Sequence, residues 1–282
     1  MTSFAIAALQ LELAAADNRD RIERAVANAV HRFPWVQMVV LGELASFGPV
    51  LGRAEPLPGP TEERYAALAR RLGIWFVPGT LYERAGEAVF NTASAIDPQG
   101  RVVARHRKLY PFVPYEAGVT PGETATVFDV PGVGRFGLSI CYEQWFPEVA
   151  RELAWLGAEV ILHPTLTGTV DRAHELVLAQ ANAIANQCWF VDVNLAGELG
   201  NGRSIVVGPE GERIHEAGVV EEVMPLLLDL DRVRAVRRRG THGLGQVLKS
   251  FRDTPHCFTC YAPCAESSAA LRALGPLEMP RR

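Results

Sequence analysis

The stretch that decides the fold is FGLSICYEQWFPE, which runs from Phe136 to Glu148. An apolar run typical of a buried strand leads directly into Cys141, and Pro147 suits the first turn of a helix. A strand that ends in a nucleophile and is followed by a helix is typical of a nucleophile elbow, where backbone N–H groups near the helix start can hold an anion. The alternative is a cysteine that only fills the core. The pattern therefore makes Cys141 a candidate nucleophile.

On both sides of this stretch, short apolar runs alternate with helical periodicity, as in α/β domains. Helices are predicted over Asp17–Phe33, Thr61–Leu72, Phe146–Leu156 and Asp171–Asn186. Strands are predicted over Phe4–Leu13, Val36–Leu41, Ile74–Tyr82, Val89–Ile96, Arg101–Arg105, Thr126–Val130, Phe136–Cys141, Val160–Leu162, Trp189–Asn194, Ser204–Val207, Glu212–His215 and Met224–Leu230. We expect one α/β domain up to about Arg239, followed by a Gly-rich bend and a less regular tail.

Composition excludes several classes of protein. Of the 282 residues, 48% are hydrophobic and 21% are charged, which excludes global disorder. The net charge of −4 predicts no general attraction to nucleic acid or to acidic membranes. No apolar run approaches the ~18 residues of a membrane span, and the N-terminal apolar run lacks the basic flank of a signal peptide. We therefore expect a cytoplasmic protein whose five cysteines are reduced thiols.

The basic residues are distributed unusually between the two residue types. Of the 28 Lys and Arg residues only Lys108 and Lys249 are lysines. Because a surface position tolerates Arg as well as Lys, each remaining lysine is a candidate for a role that Arg cannot fill. Chance retention of two lysines is the alternative.

Acid–base groups follow two of the predicted strands. Glu43 comes just after the buried run Val36–Leu41, and Lys108 follows the strand Arg101–Arg105. Open α/β sheets carry their sites beyond strand ends, although a solvated loop Glu or a surface Lys is the alternative for each. His106 and His163 also lie near strand ends, but neither stands in the context of a known cysteine protease.

Taken together, these motifs resemble the nitrilase, or carbon–nitrogen hydrolase, superfamily, on its amidase side. Glu43 matches the catalytic Glu of the first motif. Lys108, in His-Arg-Lys-x-x-x-Phe, matches the Lys of the second, and Cys141, in Gly-x-x-Ile-Cys-Tyr-Glu-x-x-Phe-Pro-Glu, matches the nucleophile. Glu116, which precedes Thr120-Pro121-Gly122, matches an additional active-site Glu.

The resemblance implies a four-layer α-β-β-α sandwich over residues 1–253, with residues 254–282 as a tail that packs on the domain or on a partner subunit. It implies a homodimer or larger homo-oligomer and no metal or organic cofactor. Glu43 would act as the general base, while Lys108 and the backbone N–H of Tyr142 would hold an oxyanion. Glu116 would position the substrate or Lys108.

The bond that is cleaved is predicted from the residues beside the nucleophile. True nitrilases typically have Trp directly after the cysteine, and Tyr142 departs from that, so a small linear amide is favoured over a nitrile. The segment 143–148 is also similar to that of N-carbamoylputrescine amidases, which leaves an N-carbamoyl amine or amino acid as the alternative substrate. Trp145 is expected to line the substrate pocket, with core packing as its alternative. A catalytically silent protein on the same scaffold is the remaining possibility.

Three features outside these motifs have structural or binding interpretations. Cys257, Cys260 and Cys264, preceded by His256, could ligate zinc, but a second Cys-x-x-Cys pair is missing, so we expect a tail without metal. The arginines from 232 to 239 are expected to lie on a solvated helix face or at an interface. Cys188 is expected in the core.

Overall fold

The structure, a computed structural model, describes residues 2–113, 115–261 and 267–278. Its strands form two large sheets and one two-stranded ribbon. The strands are β1 (Ser3–Gln10), β2 (Glu12–Leu13), β3 (Met38–Leu41), β4 (Trp75–Val77), β5 (Thr80–Ala85), β6 (Ala88–Ile96), β7 (Val102–Arg107), β8 (Thr126–Val130), β9 (Gly134–Leu138), β10 (Val160–Pro164), β11 (Trp189–Val193), β12 (Ala196–Gly197), β13 (Ile205–Val207), β14 (Arg213–Glu216) and β15 (Glu222–Asp229). The helices are α1 (Arg19–Arg32), α2 (Pro60–Leu72), α3 (Pro147–Trp155), α4 (Arg172–Asn186), α5 (Leu230–Arg239), α6 (Val247–Asp253) and α7 (Ala269–Arg272).

The first sheet has the order β15-β1-β3-β4-β6-β5, and β7 also pairs with β6, along Thr92–Ile96. The second has the order β14-β13-β11-β10-β9-β8. In each sheet the central strands are parallel: β1, β3 and β4 in the first, and β9, β10 and β11 in the second. Parallel strands align their carboxyl ends, so side chains that follow them meet at one edge of each sheet.

Three apolar clusters define the four layers. The largest lies between the two sheets, where Phe4 of β1 meets Phe136 of β9 with ring centroids 5.4 Å apart. A second packs α1 and α2 on the outer face of the first sheet, and a third packs α3 and α4 on the outer face of the second. The α-β-β-α sandwich predicted from the sequence is thereby confirmed, because each sheet buries one face on the other sheet and one on helices.

Several element boundaries differ from the sequence prediction, and two of these differences can be traced to specific contacts. The strand expected over Ile74–Tyr82 is interrupted at Gly79, which has φ +76°. A Cβ atom on Gly79 would lie 1.8 Å from the carbonyl oxygen of Gly42, so only glycine fits this close approach. Helix α2 begins at Pro60 after Gly59, one residue before the predicted start at Thr61, whose hydroxyl donates a hydrogen bond to Glu55 over 2.8 Å.

The basic run lies on α5, and its arginines are used within the chain. Arg234 bonds to Glu159 on the neighbouring loop, and Arg237 donates to the backbone carbonyls of Ala158 and Gln187. Arg232 forms ion pairs with Glu210 and Glu212. These contacts hold α5 against the end of the second sheet, which makes much of this run structural.

The described part of the tail contacts α3 and α6. The Phe258 ring lies 6.4 Å from that of Phe251, whose own ring packs edge-on against Trp155 at 5.6 Å. The Tyr261 hydroxyl donates to the Glu148 carboxylate. Among the described helices, none has the length and apolar character that crossing a bilayer requires.

Candidate active site

Glu43 is held in the interior by its backbone. It follows β3, and its N–H donates to the carbonyl of Thr165 over 3.0 Å, which ties the end of β3 to the end of β10 in the other sheet. The close approach of Gly42 and Gly79 brings this segment against the β4–β5 connection. The Glu43 side chain is thereby buried between the two sheets, and the solvated-loop alternative is wrong.

Lys108 is also buried, with 1% of its surface exposed. Its backbone N–H donates to the carbonyl of Asn91 over 2.8 Å, which continues the β6–β7 pairing by one residue. Its ammonium donates to Glu43 Oε1 over 2.8 Å and to Glu116 Oε2 over 2.7 Å. The surface-lysine alternative is therefore wrong as well.

Cys141 adopts a strained backbone at the start of a 3₁₀ turn, Cys141–Trp145, that leads into α3. Its φ is +47°, in the left-handed region that non-glycine residues rarely adopt, at a cost of about 1–3 kcal/mol. The turn presents the thiol to the interior, where Sγ lies 4.0 Å from the carbonyl oxygen of Leu166 and is near enough to Glu43 to affect the pKa of that carboxyl. This is the sharp strand-to-helix turn predicted from the sequence.

Glu116 and Asn91 complete the hydrogen-bonded cluster. The Asn91 amide donates to Glu43 Oε1 and to Glu116 Oε1, each over 2.8 Å, and the backbone N–H of Phe112 donates to Glu116 Oε2 over 2.6 Å. The sequence analysis missed Asn91. Its signal was an amide side chain in the predicted strand Val89–Ile96, but Thr92 and Ser94 of the same strand are also polar, so Asn91 stands out only when its partners are known.

Burial and charge together set the protonation of this cluster. Burial raises the pKa of Glu43 above its usual value, and the negative charge of Glu116 adds to the rise, while Lys108 opposes it. Burial also raises the pKa of the Cys141 thiol well above its usual value, with Glu43 adding to the effect and Lys108 opposing it. Burial acts to lower the pKa of Lys108, but Glu43 and the other nearby negative groups outweigh it and hold that pKa well above its usual value. The resting site thus contains a neutral thiol, an ammonium and a carboxylate that binds a proton more readily than usual.

Glu143 is a second residue that sequence reasoning missed. It is completely buried and accepts hydrogen bonds from the backbone N–H of Leu109 and of Ile140, each over 2.5 Å. Both of its carboxylate oxygens also lie 3.1 Å from His106 Nε2. One side chain therefore fixes the residue after Lys108 and the residue before Cys141 relative to each other.

The four matched residues line one cavity of about 200 Å³. Its walls also include Tyr142 and Trp145, the two residues expected to contact substrate, together with aromatic, apolar and polar groups from several loops. These further lining residues are Leu44, Pro49, Tyr82, Phe112, Tyr115, Leu166, Thr167, Gly168, Thr169, Asp171 and Glu175. The cavity is smaller than the pockets that hold drug-sized ligands, so it suits a small substrate.

The remaining titratable and thiol groups lie apart from this cluster. His163 Nδ1 lies 3.1 Å from the Ser139 hydroxyl, and burial lowers the pKa of this histidine to about 4. Cys188 is buried in the core, as expected. Cys257 and Cys260 are exposed, and Cys264 lies outside the described residues. Among the residues with described positions, no three His, Cys, Asp or Glu side chains form a group that could hold a metal ion.

Solved structures share this fold over nearly the whole chain. Nit3 of Saccharomyces cerevisiae, a member of branch 10 of the nitrilase superfamily, is 28% identical with a TM-score of 0.77, and the match covers 84% of this chain and 94% of that one. A mutant amidase from Nesterenkonia sp. AN1 is 28% identical with a TM-score of 0.74, covering 85% and 95% of the two chains. In that structure the acetamide moiety of fluoroacetamide is covalently added at the active-site cysteine.

Sequence relatives agree with the structural ones. The N-carbamoylputrescine amidase of Solanum lycopersicum is 34% identical over 220 residues, which cover 68% of this chain and 71% of the relative. The omega-amidase NIT2 of Homo sapiens is 27% identical, and that match covers 85% and 93% of the two chains. The model of the carbon-nitrogen hydrolase family matches residues 5–238. Because that match spans most of the 282 residues, the chain belongs to the carbon–nitrogen hydrolase family.

Proposed function

We propose that the protein is a thiol amidohydrolase that cleaves the C–N bond of a small linear amide. The products are a carboxylic acid and ammonia or an amine, and the intermediate is a thioester on Cys141. The observation that carries this proposal is the single buried cluster in which Lys108 bridges Glu43 and Glu116 beside the Cys141 thiol, in the wall of one cavity.

In the first half-reaction Glu43 takes the thiol proton as Sγ attacks the amide carbonyl carbon. The pKa of Glu43, raised mainly by burial, makes it a better base for this step than a solvated carboxylate. The negative oxygen of the tetrahedral intermediate accepts hydrogen bonds from Lys108 and from the backbone N–H of Tyr142. Collapse of the intermediate breaks the C–N bond, and Glu43 returns the proton to the departing nitrogen.

The donors of Lys108 suit this role. An ammonium has three N–H donors, and in the described part of the chain two of them go to Glu43 and Glu116. The third is free for an oxyanion. In the second half-reaction Glu43 removes a proton from water, which attacks the thioester and releases the acid and the thiol. In both half-reactions, hydrogen bonds from Asn91 and to Glu116 keep Glu43 and Lys108 in position.

Mass spectrometry of the intact protein tests this mechanism directly. Brief exposure to an amide substrate should add the mass of the acyl group, and peptide mapping should place it on Cys141. Cys141→Ala should show no adduct and no turnover but fold normally, whereas Cys257→Ala and Cys260→Ala should keep parental activity. An active Cys141→Ala variant would refute the thioester, and an unreactive parent on every amide, ureido compound and nitrile tested would favour a silent scaffold.

Hydrolysis of an N-carbamoyl group is the second candidate function. The 34% identity to an N-carbamoylputrescine amidase favours it, and the chemistry at Cys141 would be the same. The products distinguish the two reactions, because an N-carbamoyl substrate yields an amine, ammonia and carbon dioxide, whereas an amide yields no carbon dioxide. A screen that measures ammonia and carbon dioxide over aliphatic amides, N-carbamoyl amines and N-carbamoyl amino acids assigns the class.

Nitriles should be poor substrates. Tyr142 lines the cavity directly beside the nucleophile, at the position where nitrilases usually have Trp. We expect amides to exceed the matching nitriles in kcat/KM by about tenfold or more, or ~1.4 kcal/mol in activation free energy. Equal rates on a nitrile and its amide would contradict the use of Tyr142 as a marker of substrate class.

The assembly and the compartment are part of the same proposal. We expect a homodimer or larger homo-oligomer that acts in the cytoplasm, with residues 254–282 as a tail on the domain or a partner subunit. Cytoplasmic action is supported by the free thiols of Cys141, Cys188, Cys257 and Cys260, which a reducing compartment would preserve. Assembly is supported by exposed apolar side chains on α3 and α4, including Trp155, Val177 and Ile184.

A further inference from the structure

The cavity that contains Cys141 is strongly acidic. Its lining includes the carboxylates of Glu43, Glu116, Asp171 and Glu175, and Lys108 is the one cation among the described lining residues. Glu43 and Glu116 share the charge of Lys108 through direct hydrogen bonds. Asp171 and Glu175, at the start of α4, have no such bond to Lys108, so they form a second acidic group in the same cavity.

Glu175 is buried, and its charge is only partly compensated. It accepts hydrogen bonds from the Thr167 hydroxyl and from the Arg172 guanidinium, each over 3.0 Å. Arg172, however, also donates two hydrogen bonds to the buried Asp192, over 2.6 and 3.1 Å. One arginine thus serves two carboxylates, and the group retains a net negative charge in a place where water is largely excluded.

This arrangement affects the pKa values of Glu175 and of the Cys141 thiol. Burial raises the pKa of Glu175, and although Arg172 opposes the rise, the charge of Asp192 adds to it. The charge of Glu175 also contributes to the raised pKa of Cys141, so the two groups lie within electrostatic range of each other. A cation bound next to Glu175 would supply the missing positive charge.

The lining of the cavity also includes the aromatic rings of Phe112, Tyr115, Tyr142 and Trp145. The rings of Phe112 and Tyr142 lie 4.8 Å apart, Phe112 and Tyr115 lie 5.3 Å apart, and Tyr142 and Trp145 lie 6.4 Å apart. Among the described residues, the arginines that form cation–π contacts lie over other rings, so the faces of these four rings carry no arginine or lysine. Aromatic faces beside carboxylates are a favourable environment for ammonium groups.

We propose that the substrate carries a positively charged group, such as a primary ammonium, beyond the bond that is cleaved, and that Glu175 binds this group with Asp171 as a second contact. This inference rests on the proposed amidohydrolase function. A substrate with a carboxylate in the same place would meet the partly compensated charge of Glu175 and the charge of Asp171 and is disfavoured. The cavity of about 200 Å³ restricts the separation between the cation and the amide carbonyl to a few bonds.

Three amides of nearly equal size test the inference. They are 4-aminobutanamide, which is cationic, pentanamide, which is neutral with the same number of non-hydrogen atoms, and succinamate, which is anionic; the corresponding compounds one methylene shorter and longer cover other lengths. At neutral pH the cationic amide should exceed pentanamide in kcat/KM by about tenfold or more. This preference is smaller than the one that the full electrostatic attraction of a close ion pair would give. Succinamate should be the poorest of the three.

The ratio of kcat/KM for the cationic and neutral amides is then compared between variants. Glu175→Gln should lower that ratio about tenfold, whereas Glu175→Asp, which retains the charge, should keep more of it. Glu87→Gln removes the same charge from an exposed turn and should leave the ratio at its parental value. The ratio responds to charge recognition, whereas a general loss of folding or catalysis affects both substrates alike.

A measurement on the parent protein covers the case in which Glu175→Gln does not fold. Butylammonium should inhibit pentanamide hydrolysis competitively and about tenfold more strongly than butanol. Hydrolysis of pentanamide with no preference for a cationic amide or inhibitor would overturn this inference and leave the proposed function standing. A Glu175→Gln variant with an unchanged ratio would overturn the role of Glu175. No hydrolysis of any amide and no adduct on Cys141 would overturn the inference and the proposed function together.

Discussion

At the scale of the residue, position 108 requires the shape of a lysine side chain and not only its positive charge. A compact ammonium fits between Glu43 and Glu116, whereas the planar guanidinium of arginine is wider and would extend into the cavity. Lys108→Arg should therefore reduce kcat by about 100-fold or more, as loss of an oxyanion donor does. Because the side chain is buried, the larger residue should also cost about 1–3 kcal/mol of stability through overpacking.

Lys249→Arg is the matched control for this substitution. Lys249 is half-buried and donates to the carbonyl of Arg238 over 2.6 Å, a bond that arginine can also form. Its steady-state kinetics and thermal unfolding should stay close to those of the parent. A Lys108→Arg variant that retains most of the parental kcat would show that the position needs only a positive charge, contrary to the oxyanion role.

Glu116 should affect the pH dependence of the reaction through Glu43. The general base must be ionised, so kcat/KM falls as the pH drops through the pKa of the coupled site, which lies above 4.5, the usual pKa of Glu43. The negative charge of Glu116 is one cause of that raised pKa. Glu116→Gln should therefore move the acid limb of the profile to lower pH while lowering kcat.

The profile of residual activity in Glu116→Gln is compared with that of Glu87→Gln, whose exposed carboxylate lies outside the cavity lining. The control should keep the parental acid limb. An acid limb that moves to higher pH in Glu116→Gln would mean that Glu116 acts on Glu43 mainly by holding Lys108, and the electrostatic assignment would be wrong.

The sequence alone predicted the reactive residues but not the residues that position them or balance their charge. Cys141, Lys108 and Glu43 each follow a strand-like run, and their motifs resemble one family. Asn91 and Glu175 have no comparable local signal, because each matters through a partner far away in sequence: Asn91 through Glu43, and Glu175 through Asp192. Pairings of that kind depend on how the two sheets and α4 come together.

At the scale of the element, Glu143 joins the segment after β7 to the turn after β9. Its two oxygens accept from the backbone N–H groups of Leu109 and Ile140. In Glu143→Gln the amide nitrogen would face one of those donors, leaving a buried N–H without an acceptor at a cost of about 1–3 kcal/mol. Thermal unfolding should shift down by several degrees.

Glu143→Gln should also lower kcat more than it raises KM, because it displaces Lys108 relative to Cys141 without removing either. Glu152→Gln, on an exposed position of α3, is the control and should match the parent in both measurements. A Glu143→Gln variant with lowered stability but parental kcat would show that Glu143 only supports the fold.

The elements themselves were predicted better than their ends. Apolar runs and periodicity place nearly every strand and the first four helices, because continuous apolar runs mark strands buried on both faces and a helical apolar period marks the helices. The break at Gly79 was not predictable, since the reason for it is the carbonyl of Gly42 on another strand. The strained φ of Cys141 is likewise imposed by the junction between β9 and α3.

At the scale of the whole molecule, the layer order could be stated only through the resemblance. Local patterns show that strands such as Val36–Leu41 are buried on both faces, but not whether the second face meets a helix or another sheet. The structure answers this with Phe4 and Phe136 in contact across the two sheets. The bond from Glu43 N–H to Thr165 crosses between the same sheets, so the candidate site exists only in the assembled sandwich.

The outer helical layer leads to a prediction about assembly. Val177 and Ile184 are seven residues apart on α4, so they lie on one helix face, and they are 59% and 40% exposed. Trp155 on α3, in the same outer layer, is 55% exposed. Apolar side chains grouped on helices that cover the second sheet are typical of a subunit interface.

Light scattering after size-exclusion chromatography should therefore give the parent a mass of at least two chains. Val177→Asp should reduce that mass, because a buried, unpaired carboxylate costs several kcal/mol and would weaken association by about 100-fold or more. Val219→Asp makes the same change at a loop position that is 63% exposed, and it should keep the parental mass. A parent that stays monomeric at all concentrations, or a Val177→Asp variant with unchanged mass, would show that this helix face is not the interface.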